Sequence, residues 1–183
     1  VDFRQYVKNV LPNEWVSTWE PASLEAGAMA AKMYAWWKIN IGPRGTFQGQ
    51  DYDVRADTCD QVYRRDSEKD TTDAAVDNTF GYIMRLDGEV SKIHYTNRIS
   101  TCQNAGLAPC MGQHESQAMA LEGFTWQEIL LFFYEGFDVT IADGEIPAAP
   151  QSVNVVRNGD FAVQRAFWSR GSGTDYAIYD EGE

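Results

Sequence analysis

Histidine is nearly absent: His94 and His114 are the only two in 183 residues. A three-histidine metal centre is therefore impossible, and without an H-E-x-x-H spacing the zincin class is excluded. Cysteine is almost as scarce. Cys59, with Asp60 beside it, offers too few ligands for a tetrahedral zinc site, so no metal is expected. Cys102 and Cys110 bracket a short loop containing Gly106 and Pro109. Either they close it as a disulfide in an oxidising compartment, leaving Cys59 free, or all three remain thiols. No apolar run approaches the roughly 18 residues that a membrane helix needs, and the longest, Ile129-Leu130-Leu131-Phe132-Phe133, reads as core. Positive charge is also short, with 15 Lys and Arg against 27 Asp and Glu, a net charge of -12 and a pI of about 4.5. That balance argues against a nucleic-acid partner, because such binding draws most of its affinity from Lys and Arg neutralising phosphates. A neutral or weakly charged ligand fits better. P-loop, dinucleotide and G-x-S-x-G signatures are missing too, so no cofactor is expected and nothing supports a serine nucleophile. The sequence opens at Val1 without a charged-then-apolar leader, and any export signal is expected either to have been removed or never to have been part of this sequence.

What is present suffices for one core. With 44% hydrophobic and 13% aromatic residues, the chain reads as one main α+β domain over residues 1–145, a Pro- and Ala-rich linker over 146–152 and a β-like extension over 153–183. Around Asn158-Gly159-Asp160-Phe161 that extension loosely resembles the first strands of a carbohydrate-binding β-sandwich, too short to form one alone. Phe3, Tyr6, Val7 and Val10 recur at helical spacing, and Pro12 is expected to stop or restart that helix, which places Glu14 at a junction. Pro21 suits the first turn of a second helix running to about Asn40, with one apolar stripe of Leu24, Ala28, Ala31 and Ala35. Residues 41–57 read as a long loop, 61–63 as a short strand and 64–70 as a solvated loop. Thr71 or Thr72 is expected to cap a short helix through Val76. Asp87-Gly88 marks a tight hairpin between β-like segments 80–86 and 89–95. Residues 113–121 read as a helix. Thr125-Trp126-Gln127-Glu128 is a capping box that starts another, ended by Gly136, and residues 137–141 read as a strand.

Glu14 is the leading candidate for chemistry. Breaking a glycosidic bond requires a proton delivered to the leaving oxygen, so the acid must stay protonated near neutral pH, which an apolar setting achieves by penalising the charged form. Trp15 and Trp19 offer such a setting, and Trp36 and Trp37 are candidate stacking surfaces that cannot share one helix face.

The order of blocks around Glu14 resembles a known family. Tyr6, Val10 and Glu14 are followed by Ala28-Met29-Ala30-Ala31-Lys32-Met33-Tyr34-Ala35, which is similar to the A-V-A-A-R-T-Y-A helix of SpoIID/LytB proteins. Asp60-Gln61-Val62-Tyr63 is similar to that family's C-Q-V-Y, and residues 74–82 to its A-V-x-x-T-x-G. Ile93-His94-Tyr95-Thr96 resembles F-H-S-T, while Met111-Gly112-Gln113 and Met119-Ala120-Leu121-Glu122-Gly123 resemble M-S-Q and M-A-x-x-G. The resemblance runs from Phe3 to Ile141. It implies an α+β domain of helices on short antiparallel strands, exported to the cell wall, with peptidoglycan glycan strands as substrate. It also implies lytic transglycosylase chemistry between N-acetylmuramic acid and N-acetylglucosamine, with Glu14 as acid and then base. Lys32, Gln61, Tyr63, His94, Thr96 and Gln113 stand at matching positions and are candidates for binding sugar or orienting Glu14.

Two departures favour a rival reading, a non-catalytic wall-binding module or amidase enhancer whose further partner is a cell-wall amidase. Arg98-Ile99 replace a glycine pair, removing freedom for positive φ. Gly106-Leu107-Ala108-Pro109-Cys110-Met111 replaces G-H-G-x-G-M, so a histidine is lost.

Overall fold

The structure, a computed structural model, describes residues 1–142 and 152–156. Among the described residues there are six helices and four two-stranded pairings, a mixed α+β architecture. Its centre is helix α2, Pro21–Asn40, which packs against α1 (Phe3–Glu14), α3 (Asp70–Thr79), α5 (Gln113–Leu121) and α6 (Trp126–Phe133). A helix enclosed by four others has no solvent face over its middle turns. Accordingly the run from Ala26 to Met33 is buried without interruption, rather than along the single stripe that the sequence suggests.

Small residues make this enclosure possible. Glycine at position 27 leaves room for the Trp15 indole, because a Cβ there would lie 2.6 Å from two of its ring atoms. Lys32 is 1% exposed, and its ammonium is met by the carbonyl oxygens of Thr79, Phe80 and Tyr82 at 2.8, 3.2 and 2.5 Å. Three donors meet three acceptors, so the amine joins the end of α3 to the start of strand β4 (Tyr82–Leu86). Burial draws its pKa down to about 7, and the carbonyls replace the water that the charged form would otherwise require.

Pro12 does not end α1. It removes one backbone donor, but the turn is held from outside. The Asn13 amide donates to the Asn9 carbonyl at 2.8 Å and to Ser67 Oγ at 2.8 Å, while the Asn9 amide reaches the Gln5 carbonyl and Glu68. Glu14 is thus the last residue of a continuous helix, and the Trp15 N–H caps it on the Leu11 carbonyl at 2.8 Å.

The strands differ most from expectation. Residues 41–57 contain a hairpin, β1 (Gly45–Phe47) with β2 (Gln50–Tyr52), turned by Gln48 and Gly49 at φ 49° and 78°. Three-residue strands are too short to show a hydrophobic alternation, so the pattern was invisible in sequence. Residues 61–63 are not a strand. Asp87 and Gly88 do form a tight turn at φ 52° and 82°, and Leu86 bridges Glu89. The partner of β4 along its length is instead β7 (Phe137–Ile141), in antiparallel register from Tyr82↔Ile141 to Leu86↔Phe137. The returning chain forms β5 (His94–Thr96), parallel to β6 (Cys110–Gly112). Two pairings are therefore parallel and two antiparallel.

Helix α3 begins after Lys69 without a side-chain cap; Thr72 bonds back to the Lys69 carbonyl and Thr71 to that of Ser17. The Thr125–Glu128 capping box is present on α6, and Gly136 at φ 84° precedes β7. Cys102, in α4 (Ile99–Asn104), is bonded to Cys110 in β6, and Cys59 is free. Strand β8 (Val155–Val156) runs parallel to β3 (Val54–Arg55), and Val153 is 1% exposed against the same core. The Asn158–Phe161 motif, residues 143–151 and the rest of the extension lie outside the described residues.

Two substitutions test this frame. Lys32→Met leaves three carbonyls without their donor and is expected to cost about 2–4 kcal/mol in urea unfolding. Gly27→Ala drives a methyl into a rigid ring and is expected to cost about 1–3 kcal/mol, with a change in near-ultraviolet circular dichroism from Trp15.

Candidate active site

Glu14 enters the site from the C-terminal end of α1, where Trp15 behind it is locked between Gly27 and Tyr95, whose ring centroid lies 5.0 Å away. The carboxyl is half-buried. Its Oε1 accepts the Val62 N–H at 2.6 Å, and the Gln113 side chain also bonds it. Burial raises the Glu14 pKa to about 7, against the opposing pull of those two hydrogen bonds. A carboxyl with this balance keeps its proton into the neutral range, and two donors stand ready for the anion.

Glu14 lines a cavity of about 370 Å³. One side is built from Tyr34, Thr58, Cys59, Asp60 and Val62, the other from Lys92, His94, Tyr95, Thr96 and Leu107. Asp60 is fixed by the Tyr34 hydroxyl at 2.8 Å, the Arg55 N–H at 2.9 Å and Lys38 at 3.2 Å. The Tyr34 pKa is pushed upward by burial and by its bond to Asp60, so that phenol remains a proton donor. The His94 pKa is lowered by burial and by the Lys92 charge, which favours a neutral imidazole. The Lys92 ammonium lies 5.0 Å above the Trp37 ring at the cavity's edge.

A second cavity, about 400 Å³, lies between the β1–β2 hairpin and residues 153–155. Among the described residues its only side-chain carboxyl, that of Asp51, is exposed, unlike the half-buried Glu14 of the first.

The candidates from sequence separate into three groups. His94 and Thr96 line the cavity with Glu14, and Gln113 bonds Glu14 directly. Gln61 is fully buried beneath it, bonded to Tyr6, Ala31 and Tyr95. Lys32 and Tyr63 are not brought to the cavity: the amine is saturated by backbone carbonyls, and Tyr63 is stacked on Tyr6 with centroids 5.3 Å apart. Trp19 pairs with His114 and is not among the lining residues. Among the tryptophans in α2, Trp36 is buried in the core and Trp37 half-buried. Tyr34, Asp60, Lys92, Tyr95 and Leu107 were not among the site candidates from sequence, although all but Lys92 lie inside blocks that the sequence singled out. Among the described residues no group of three or more His, Cys, Asp or Glu is placed to hold a metal ion.

Residues 1–85 match the family model SpoIID, stage II sporulation protein. Over this segment, just under half of the chain, the sequence is similar to the SpoIID family. No curated protein matches the chain. The SpoIID segment holds α1, α2 and the stretch from Tyr34 to Val62, hence Glu14 and one wall of the cavity. The facing wall, Lys92 to Leu107, lies beyond the matched residues. Among the described residues no helix is long and apolar enough to cross a membrane.

A raised carboxyl pKa carries a signed stability cost. Because Glu14 holds its proton more tightly when folded, the folded state loses stability as pH rises from about 4.5 to about 7, and the loss is complete above that. Glu14→Gln removes the ionisation and keeps an acceptor for Val62. It is expected to leave stability unchanged near pH 4 and to raise it at pH 8 by about 1–3 kcal/mol, read by urea unfolding at both pH values.

Proposed function

We propose that this protein is an exported lytic transglycosylase that cuts the bond between N-acetylmuramic acid and N-acetylglucosamine in peptidoglycan strands. The SpoIID segment is consistent with a cell-wall-related role in sporulation. The finer assignment is carried by a single observation, one acid with its pKa held up to about 7 inside a sugar-sized cavity.

In this reaction the protonated Glu14 gives its proton to the glycosidic oxygen as the bond to C1 of the muramyl residue breaks. The 6-hydroxyl of the same residue then bonds to C1, and its proton passes to the Glu14 carboxylate. The products are a 1,6-anhydro end and a free 4-hydroxyl, and the acid is regenerated without water. One carboxyl serves both halves, unlike hydrolysis, which uses two in distinct roles. The Val62 N–H and Gln113 stabilise the anion that exists between the two transfers. The neutral His94 and the hydroxyl of Thr96, whose proton goes to the Arg98 carbonyl at 2.7 Å, offer acceptor atoms to sugar hydroxyls on the opposite wall.

A second reading, a glycan-gripping module without catalysis, rests on Leu107. An apolar side chain stands on the cavity wall where the resembling sequences carry a histidine. The Arg98-Ile99 replacement counts less, since Arg98 adopts φ −141° and Ile99 opens α4, so neither needs glycine.

Incubation with peptide-stripped glycan, followed by mass spectrometry, distinguishes the readings. Anhydro-muramyl products are expected, with the rate falling as pH rises through about 7 because the proton on Glu14 is lost. Glu14→Gln is expected to slow release by about a hundredfold or more. Binding without products supports the module reading, and products that are indifferent to Glu14→Gln overturn the assignment of Glu14.

A further inference from the structure

Beneath the cavity runs a chain of hydrogen bonds whose direction the geometry determines. Gln61 Nε2 lies 3.0 Å from the Ala31 carbonyl oxygen, which can only accept, so the amide nitrogen must face that way. Its second hydrogen then points to the Tyr95 hydroxyl at 2.9 Å, and its oxygen accepts the Tyr6 hydroxyl at 3.0 Å. Reversing the amide would set two carbonyl oxygens against each other. Tyr95 is therefore the acceptor at the end of this chain, and its own hydroxyl hydrogen has no acceptor among the described residues.

The remaining donor belongs to a residue of the cavity wall. The Tyr95 ring is held by Trp15, so the phenol has little freedom to turn elsewhere. Burial, reinforced by the nearby Glu14 charge, raises its pKa well above the ordinary tyrosine value, so the proton stays on oxygen at every working pH.

We propose that Tyr95 is a substrate-contacting residue, its hydroxyl donating a hydrogen bond to an acceptor oxygen of the sugar held against Glu14. This assignment rests on the glycan reading above and adds a residue to it. Donation from a phenol that is already accepting from Gln61 is strengthened by polarisation along the chain, and the sugar oxygen completes the set of partners that the structure leaves one short. The residue contributes to binding and orientation rather than proton transfer, since its proton returns nowhere in the reaction.

The test uses equilibrium binding to peptide-stripped glycan in the Glu14→Gln background, where strands are not consumed. Adding Tyr95→Phe keeps the ring on Trp15 and removes only the donor; affinity is expected to fall by about tenfold. Tyr134→Phe serves as the structural control. It deletes a more deeply buried phenol, bonded to the His94 carbonyl at 2.9 Å and outside the cavity lining, and is expected to lower stability without a comparable loss of affinity. Equal affinity with and without the Tyr95 hydroxyl overturns the inference, as does an equal loss in both phenylalanine variants. If the Glu14→Gln protein binds no glycan, this inference and the glycan reading fall together. If it binds but the wild type releases no anhydro products, the catalytic reading alone fails, and the comparison of variants still decides the role of Tyr95.

Discussion

The contact between the Trp15 indole and the bare backbone of Gly27 is the constraint on which the site depends. With 2.6 Å between a would-be Cβ and the ring, no other residue type fits at position 27 without moving the indole. Trp15 directly follows Glu14 and packs Tyr95 on its other side, so this single close approach sets the position of the acid and of the opposite wall together. A second close approach lies one turn further along α2, where the Ala31 carbonyl accepts the Gln61 amide. The small residues of α2 thus act less as core filler than as a surface for other parts of the chain to lie against.

Among the described residues, most polar groups buried around this helix have partners, the Trp36 indole N–H being one that does not. Lys32 satisfies three carbonyls, Gln61 joins two tyrosines to the helix backbone, and Ser116 links the Gln113 carbonyl to Ser23 at 2.7 and 2.9 Å. A buried donor or acceptor left unmatched costs more than a matched one contributes, so networks of this kind select one arrangement of α2 against its neighbours. Glu14 differs from these groups in the way the proposed chemistry would use. It is desolvated enough to hold a proton, and two donors near it make release of that proton tolerable.

The two walls of the cavity have different origins. One comes from the SpoIID segment, with α1, α2 and the Asp60–Val62 stretch. The other is brought in by the parallel β5–β6 pair, whose register sets His94 against Cys110 and Thr96 against Gly112, just ahead of Gln113. The Cys102–Cys110 bond ties α4 to that same pair and closes the loop bearing Leu107. Conversion of an acid-bearing helix end into a cavity therefore depends on pairings between segments far apart in the chain.

Much of the helical frame was legible in the sequence, because each signal was local. Pro21 at the first turn, the Thr125–Glu128 box and the Asp87-Gly88 turn depend only on residues within a few positions, and all three stand where the chain chemistry puts them. Glu14 was likewise marked out by its motif. Local signals misled where outside contacts overrode them: Pro12 lies inside a helix held by Ser67 and Glu68, and β4 pairs with a strand more than fifty residues away rather than with the chain that returns from its own turn. Position in a motif also could not separate Lys32 from His94, since one was drawn into the core by three carbonyls and the other left on the cavity wall. Residue type and near-neighbour spacing determined the helices and the candidate acid. Only the tertiary structure decided which polar groups found partners and which, like the Tyr95 hydroxyl, kept a hydrogen to spare, because hydrogen-bond saturation is a property of groups brought together across the whole chain.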